Sequence, residues 1–415
     1  MKRLLSLVAP ISMLGTLNTF AAEQTPAKDF FPIMAWNTLS RDCPGDKLEQ
    51  LETMKLAGFN IAGFLTIDEL SLAEKVGIQA FVLDDRGHVY DWGKGVDPEV
   101  ARKNVSSLIE EVKDHPSVFG YYVCDEPTQR DLQGVGVVTR IFRELDPKKW
   151  PYVNMLPNSA DPHDIGENYE KFLNDFIEAA DPNIISVDDY TLMAGIEEKN
   201  PGITARYYLN MKQMREAAAK KGIPFWNIIL SMPHRSFVEP TLGNMARQVY
   251  TSLAYGAKGL SYFCYFTNHS EGSRLGPIDI HGDKTPTWDI VRSLNKDVHG
   301  LAPVLNKLTV KRNYFLGKVP IGSEAPPKDA WITNKNPDDP TANPDILVGE
   351  FLHENGARYA MLVNLNTKKA VHFHYDIGIA KGIEHVSPRD SVHYPHSPKY
   401  VIIGPGMGML VKIVD

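Results

Sequence analysis

Cysteine is scarce in this chain, which contains only Cys43, Cys124 and Cys264 among its 415 residues. Cys124 and Cys264 lie inside apolar, strand-like runs, where a thiol packs as a small apolar side chain. A disulfide framework needs more cysteines, and zinc sites need closely spaced cysteine or histidine pairs. The scarcity argues against a disulfide-stapled protein, a structural zinc site and thiol catalysis. Nothing else in the sequence implies a metal or another cofactor.

A surplus of positive charge is also missing. The chain has 44 Lys and Arg against 51 Asp and Glu, which gives a formal net charge of −7. Proteins that bind nucleic acids neutralise phosphates with clustered Lys and Arg. We therefore expect no nucleic-acid partner, and a substrate that is neutral or weakly charged. No feature predicts an oligomeric state.

Long apolar runs are absent after the first residues. Lys2 and Arg3 precede an apolar stretch at residues 4–17, which is too short to span a bilayer stably. The small-x-small pattern at residues 19–21 then completes a typical secretory signal peptide, predicted over residues 1–21. No cysteine follows closely to carry a lipid. We expect an exported protein, periplasmic or secreted, without membrane insertion.

Strand-like and helix-like patterns alternate from residue 30 to about residue 308, and eight such units can be counted. Alternation of this kind favours a parallel sheet. Eight units fit a closed (β/α)8 TIM barrel better than an open doubly wound sheet, because no glycine-rich phosphate loop follows the first strand. The strand candidates are residues 31–37, 59–65, 79–84, 118–124, 152–156, 184–187, 225–230 and 259–266, and the clearest helices are residues 98–113, 203–221, 242–255 and 288–298.

The pattern changes after about residue 308. Helical periodicity fades, and short alternating runs separated by turn residues take its place. Residues 320–344 are rich in Pro, Asn and Asp and are predicted to form an irregular loop. We predict a small antiparallel β-sandwich over residues 309–415. Its strand candidates are residues 346–352, 358–364, 370–375 and 409–414.

An apolar run at residues 118–127, VFGYYVCDEP, ends in Asp125 and Glu126 and is stopped by Pro127. Catalytic groups of (β/α)8 barrels lie where strands end. Such a pair can also simply cap the next helix, since carboxylates favour helix N-termini. Beside Asp125 and within an apolar wall, Glu126 is expected to have a raised pKa and to act as a general acid. Asp125 either assists catalysis or holds a neighbouring group by a hydrogen bond.

The other predicted strand ends are rich in carboxylates and aromatic rings, a mixture that suits carbohydrate. Glycoside hydrolysis uses a second group besides the acid. Asp188 and Asp189 are candidates; because neighbours on a strand face opposite ways, only one is expected in the lumen, and we favour Asp189. The expected substrate-binding residues are Trp36, Asn37, Asp84, Arg86, Asn154, Asp188, Tyr190, His234, Tyr262 and Tyr265. Some of them have a structural alternative: Trp36 can be a core aromatic, His234 can be a structural hydrogen-bonding residue, and the loop with Arg86 can be plain surface.

Several segments resemble those of known enzymes: FPIMAWN at residues 31–37, GYYVCDEP at 120–127 and GDKTPTW at 282–288. They are similar to the barrel of retaining glycoside hydrolases, in the large superfamily that includes β-galactosidases and related exported enzymes. The run YAMLVNLN at residues 359–366 resembles the β-sandwich often appended to such barrels. The resemblance implies that Glu126 is the acid/base of an enzyme that cleaves a poly- or oligosaccharide.

The chain departs from that family at the end of the seventh strand. The family has a nucleophilic Glu there, whereas this chain has ILSMPH at residues 229–234. Three explanations remain open. The acidic pair resembles that of hexosaminidases whose substrate's own acetamido group attacks, with Asp125 orienting that group. Alternatively, an Asp of the sixth strand activates water in an inverting reaction, which needs carboxyls roughly 6.5–9.5 Å apart. Third, the barrel has lost hydrolysis and either only binds glycans or cleaves them differently.

Overall fold

The computed structural model describes residues 30–39, 45–195, 201–269, 272–336 and 344–415. The predicted signal peptide and Cys43 lie outside these residues, and the signal peptide stays a prediction. Within the described ranges, no helix combines the length and the apolar character needed to cross a membrane.

Eight parallel strands close into a barrel, in which each strand pairs with the next and the last pairs with the first. The strands are short and mostly buried, which explains their nearly continuous apolar sequences. This closed sheet confirms the predicted (β/α)8 barrel. Its strands are β1 (Ile33–Ala35), β2 (Ile61–Leu65), β3 (Gln79–Val82), β4 (Val118–Asp125), β5 (Trp150–Met155), β6 (Ile185–Asp188), β7 (Phe225–Leu230) and β8 (Leu260–Phe263).

Helices follow the strands along the chain, and several of them begin at a side-chain cap. The carboxylate of Asp97 accepts hydrogen bonds from the N–H groups of Glu99 and Val100. Thr241 and Asn244 form a reciprocal capping box at the start of another helix. The helices are α1 (Lys47–Leu56), α2 (Leu70–Val76), α3 (Asp85–His88), α4 (Pro98–Val112), α5 (Leu132–Leu145), α6 (Pro162–Ile165), α7 (Tyr169–Ala180), α8 (Pro201–Lys221), α9 (Leu242–Ala254) and α10 (Pro286–Leu305).

Strand alternation divides the barrel core into two parts. In β6, Ile185 and Val187 belong to the apolar core shared with the helices, whereas Ser186 and Asp188 bond to groups inside the barrel. Aromatic rings fill the interior below the strand ends, so the cavity above them has a solid floor. These rings include Phe81, Phe119, Tyr152 and Trp226.

The C-terminal part consists of two antiparallel sheets around their own apolar core. A six-stranded sheet has the order β15-β14-β17-β12-β11-β9, and a three-stranded sheet has the order β10-β13-β16. This arrangement confirms the predicted β-sandwich. The strands are β9 (Leu308–Leu316), β10 (Thr333–Asn334), β11 (Ile346–His353), β12 (Arg358–Asn364), β13 (Val371–Asp376), β14 (Gly382–Val386), β15 (His393–His396), β16 (Tyr400–Ile403) and β17 (Gly408–Val414).

The sandwich packs directly on the outer helices of the barrel. Tyr208 of α8 contacts Phe315 edge-on, with ring centroids 4.8 Å apart. The side-chain amide of Asn313 donates to the backbone oxygen of Ala254 at 2.8 Å, close to the end of α9. Buried side chains of both parts therefore form one continuous apolar core.

Candidate active site

A cavity of about 560 Å³ opens where the barrel strands end. Strand β4 supplies Asp125 and is followed by Glu126, β5 supplies Asn154, and β6 supplies Asp188. The position agrees with the rule that (β/α)8 enzymes build their sites at the carboxyl ends of the strands. The other lining residues are Trp36, Pro157, Ser159, Asp189, Tyr190, Thr191, Ala194, Arg206, Ile228, Met232, His234, Arg235, Phe237, Phe263, Asn268 and Ser273.

The backbone of Glu126 is left-handed, with φ of +48°. Its N–H group donates to the backbone oxygen of Asn154 at 2.8 Å, which holds this conformation in place. A residue with a Cβ adopts such a φ at a cost on the order of 1 kcal/mol, and strain of this kind clusters at functional sites. The turn interrupts the strand alternation, so that the adjacent Asp125 and Glu126 both line the cavity.

Asn154 joins two of the acidic side chains. Its Nδ2 donates to Oδ1 of Asp125 at 3.1 Å and to Oδ1 of Asp188 at 2.8 Å. Its own Oδ1 accepts a hydrogen bond from Oγ of Ser186 at 3.2 Å. The ends of β4, β5 and β6 are thereby tied together through a single side-chain amide.

The carboxyl groups of Glu126 and Asp188 interact directly, and the hydrogen bond from Asp188 by itself lowers the pKa of Glu126, against larger raising effects. Both pKa values are raised, first by burial and then by a neighbouring negative charge: that of Asp125 for Glu126, and that of Glu126 for Asp188. Burial also raises the pKa of Asp125, against the lowering effect of the Asn154 amide. Asp125 and Glu126 meet water through the cavity, but protein encloses their other sides. Two carboxyls in contact share one proton, so the pair stays protonated above the usual carboxyl range.

Asp189, the residue favoured from the sequence as the second carboxyl, does not join this cluster. It is 2 % exposed, and its Oδ1 accepts hydrogen bonds from the backbone N–H and the hydroxyl of Thr191 at 3.0 and 2.7 Å. Asp188 takes its expected place because β6 keeps strict alternation to its last residue. The signal was present in the sequence, where apolar Ile185 and Val187 mark one face and Ser186 marks the other.

Aromatic side chains form one wall of the cavity. The ring of Tyr190 stacks on Phe263 with centroids 5.9 Å apart, and His234 meets Tyr190 edge-on at 6.2 Å. Nδ1 of His234 lies 3.4 Å from the backbone oxygen of Met232. Trp36 is 5 % exposed and packs edge-on against other rings of the barrel interior, yet it borders the cavity. Trp36 is therefore a core aromatic that also borders the cavity, and its role in substrate binding stays a prediction.

Asp84 and Arg86 are engaged with each other instead of lining this cavity. Nε of Arg86 lies 2.7 Å from Oδ1 of Asp84, and Nη2 of Arg86 donates to Glu111 at 2.9 Å. The hydrogen bond from Arg86 lowers the pKa of Asp84. The expected sugar-binding role of this pair is replaced by an ion pair that links the start of α3 to α4.

Tyr262 and Tyr265 require a similar correction. Both are 0 % exposed, and both rings pack edge-on against Phe59 with centroids 5.4 Å away. Tyr262 points to the helix layer because it alternates with Phe263, which faces the cavity. Asn37 lies in the exposed turn after β1, with φ of +51°, and does not line the cavity.

The structure adds lining residues that the sequence did not reveal. Phe263 could have been found by alternation along β8. Arg206 has no local signal, because it reaches the cavity from the side of helix α8. Arg235, with φ of +47°, lies in the loop after β7, and its charge lowers the pKa of Glu126 against the larger raising effects.

The carboxylates among the described lining residues are Asp125, Glu126, Asp188 and Asp189. The segment after β7 contributes Met232, His234 and Arg235 but no carboxylate, so the usual nucleophile of retaining barrels has no counterpart there. Within the part of the chain that the structure describes, no group of three or more His, Cys, Asp and Glu side chains is arranged to hold a metal ion.

Comparisons with known proteins give a match for the fold alone. No protein-family model matches the sequence, and no curated protein matches it either. The structure of a glycoside hydrolase family 5 protein from Bacteroides vulgatus ATCC 8482 is 15 % identical with a TM-score of 0.54, and the match covers 93 % of this chain and 90 % of that one. Another structure, described only as a glycoside hydrolase, is 12 % identical with a TM-score of 0.54 and 93 % coverage of both chains.

A β-galactosidase from the psychrophilic Marinomonas ef1 is 10 % identical with a TM-score of 0.48. That match covers 66 % of this chain, which spans 60 % of the length of the β-galactosidase. The topology of this chain and the two matches with a TM-score of 0.54 define the class: a (β/α)8 barrel with an appended β-domain, a fold that this chain shares with solved glycoside hydrolases.

Proposed function

We propose that this protein is a glycoside hydrolase in which Glu126 is the general acid/base. The observation that carries the proposal is the position of Glu126: a strained turn at the end of β4, in contact with Asp188 and beside Asp125. A carboxyl whose pKa is raised by burial and neighbouring charge keeps its proton to a higher pH than an ordinary carboxyl does, which suits an acid that protonates a leaving oxygen. Aromatic rings beside it offer surfaces on which sugar faces stack.

Of the mechanisms left open by the sequence, the geometry supports substrate-assisted hydrolysis best. Inverting enzymes hold their two carboxyls roughly 6.5–9.5 Å apart to admit water, and retaining enzymes hold them about 5–5.5 Å apart. Glu126 and Asp188 are in hydrogen-bond contact, so neither spacing is present between them. We infer that the substrate carries a 2-acetamido group, which removes the need for a second isolated carboxyl.

In this scheme the acetamido oxygen bonds to the anomeric carbon while the glycosidic C–O bond breaks, and Glu126 gives its proton to the departing oxygen. Water then opens the cyclic intermediate, with Glu126 taking a proton back. Asp125, held by Asn154, accepts a hydrogen bond from the acetamido N–H and balances its developing positive charge. Asp188 shares the proton of Glu126 until the glycosidic oxygen replaces it as the hydrogen-bond partner.

The test compares wild type with Glu126→Gln on paired glycosides that differ only in a 2-acetamido or a 2-hydroxyl group. We expect release from the acetamido substrates, and a fall of about a hundredfold or more in the variant, the usual size of general acid catalysis. Glu111→Gln is the matched control, because Glu111 binds Arg86 at the surface. Equal release by wild type and Glu126→Gln would sink the assignment of Glu126. Cleavage of the 2-hydroxyl substrates alone would sink the substrate-assisted mechanism.

A carbohydrate-binding barrel without turnover is the competing function, and one observation favours it. The hydrogen bond to Asp188 occupies the acidic group of Glu126. Calorimetric titration with the same glycosides separates the two functions. Binding by wild type and by Glu126→Gln with equal affinity, without any product, would favour the binding protein.

We also propose export to the periplasm or the medium, on the N-terminal sequence pattern. A signal peptide at residues 1–21 predicts a mature chain that begins at Ala22. Mass spectrometry of the protein expressed with its full N-terminus measures this directly, and an uncleaved chain in the cytoplasm would contradict it.

A further inference from the structure

We propose that Asn154 is a positioning residue which holds Asp125 and Asp188 with the two protons of one amide, and that Ser186 and Tyr152 set the orientation of that amide. This inference rests on the proposed function, because the two carboxyls matter only if Glu126 acts between them. It replaces the expectation that Asn154 binds substrate.

Both donors of the Asn154 side chain are used within the protein. A side-chain amide has two N–H bonds, and both point to carboxyl oxygens, at 3.1 Å on Asp125 and 2.8 Å on Asp188. Asn154 is 2 % exposed. With both donors used and its side chain enclosed, it has no N–H group left to donate to a sugar hydroxyl.

The orientation of the Asn154 amide is fixed by its neighbours. A rotated amide would place its oxygen against two carboxylates and its N–H groups against a hydroxyl, so orientation decides whether the acidic residues are joined or pushed apart. Oγ of Ser186 donates to Oδ1 of Asn154, which favours the joining orientation. Because the one proton of Ser186 is used there, Tyr152 must donate its own proton to Oγ of Ser186, at 2.8 Å.

The resulting relay runs from Tyr152 through Ser186 to Asn154 and ends on the two carboxyls. Tyr152 and Ser186 are both 0 % exposed, so water does not compete for these bonds. Buried polar groups of this kind are costly to leave without partners, which locks the direction of the whole chain of donors. The neutral relay therefore supports negative charge on Asp125 and Asp188.

The experiment follows the pH dependence of kcat/KM in Asn154→Ala, Ser186→Ala and the double variant. The Asn154 amide lowers the pKa of both carboxyls, so its loss raises them. If Asp125 must be ionised, the acidic limb of the profile moves to higher pH, on the order of one unit for the loss of a hydrogen bond to a charged group. Ser186→Ala should move the acidic limb by less than Asn154→Ala does. In the double variant, the acidic limb should lie where it lies in Asn154→Ala alone.

Asn227→Ala is the matched control. Asn227 is a buried asparagine of β7 whose Nδ2 donates to Oγ of Ser252 at 2.9 Å, on the helix side of the barrel. The Asn227→Ala variant should lower stability without moving the acidic or the basic limb of the pH profile of kcat/KM. Independent, additive effects of Ser186→Ala and Asn154→Ala would overturn the relay, and an unmoved acidic limb in Asn154→Ala would overturn the role of Asn154.

A second readout needs no turnover. Carbon NMR of side-chain carboxyls, with Asp125→Asn and Asp188→Asn for assignment, follows the same pKa values in wild type, Asn154→Ala and Ser186→Ala. If the wild type cleaves no glycoside, the proposed function fails, while raised carboxyl pKa values in these variants would still support the relay. Unchanged carboxyl pKa values would reject it whatever the enzyme does.

Discussion

At the scale of single residues, the ionisation of Asp188 lowers the stability of the folded protein. It is largely enclosed, and its neighbours include Glu126 and Asp125. A carboxyl with a raised folded-state pKa binds its proton more tightly folded than unfolded. The contribution of Asp188 to stability is therefore greatest below pH 3.8, the ordinary pKa of Asp. It falls as the pH rises from there through the raised pKa of Asp188.

We predict that Asp188→Asn stabilises the protein at neutral pH. The amide keeps the shape of the side chain, accepts from Asn154 through its oxygen and donates to Glu126, but removes a buried charge. Thermal melting should show Tm raised by about 2 °C or more at pH 7, with little change near pH 4. Asp85→Asn, at a carboxyl that is 90 % exposed, is the control and should leave the curve unchanged. A destabilised Asp188→Asn at neutral pH would contradict the argument.

The site residues show how far single-residue reasoning from the sequence extends. Asp125 and Glu126 are found from the sequence because they follow an apolar run and precede Pro127. The choice between Asp188 and Asp189 depends on which strand face meets the lumen, and alternation answers it only if the last strand residue is known. Arg206 is beyond such reasoning, since its contribution depends on how α8 packs against the barrel.

At the scale of elements, α9 is the helix that meets the sandwich most closely. A Cβ added at Gly243 would lie 2.0 Å from the backbone oxygen of Thr367. A Cβ at Gly406 would lie 1.8 Å from the backbone oxygen of Gly243. Backbone contacts this close require glycine at both Gly243 and Gly406. The start of α9 and the loops that contain Thr367 and Gly406 therefore form one packed unit.

We predict that Gly243→Ala lowers the free energy of unfolding by about 1–3 kcal/mol, the usual cost of forcing extra volume into packed structure. Denaturant titration measures this. Gly382→Ala is the control, because its added Cβ meets nothing within 4 Å and its φ is not left-handed. It should be neutral or slightly stabilising. Equal stability of Gly243→Ala and wild type would mean that the helix and the loop separate easily.

Element boundaries were harder to predict than element types. The barrel strands were recognisable because parallel strands are apolar on both faces. Helix α10 continues to Leu305, beyond the predicted end at residue 298, and contains Pro303. A proline in a sequence normally indicates a helix end, but here packing of Leu301 and Leu305 into the core outweighs that local preference.

For the whole molecule, the decisive feature is that barrel and sandwich share a core. Phe315, Leu347 and Phe351 of the sandwich are buried in the same apolar cluster as the barrel helices. Domains that unfold separately meet through small, polar interfaces, whereas the centre of this junction is apolar and buried. Unfolding either part alone would expose the apolar face of the other to water.

We therefore predict one cooperative unfolding transition for the intact chain in differential scanning calorimetry, with equal calorimetric and van't Hoff enthalpies. Gly243→Ala should weaken the coupling between the two parts, so a broadened or split transition in that variant is expected. Two separate transitions in wild type would show that the sandwich is an independent module. A single transition means that the sandwich stabilises α8 and α9, and through them the ends of β6 and β7, on which the cavity is built.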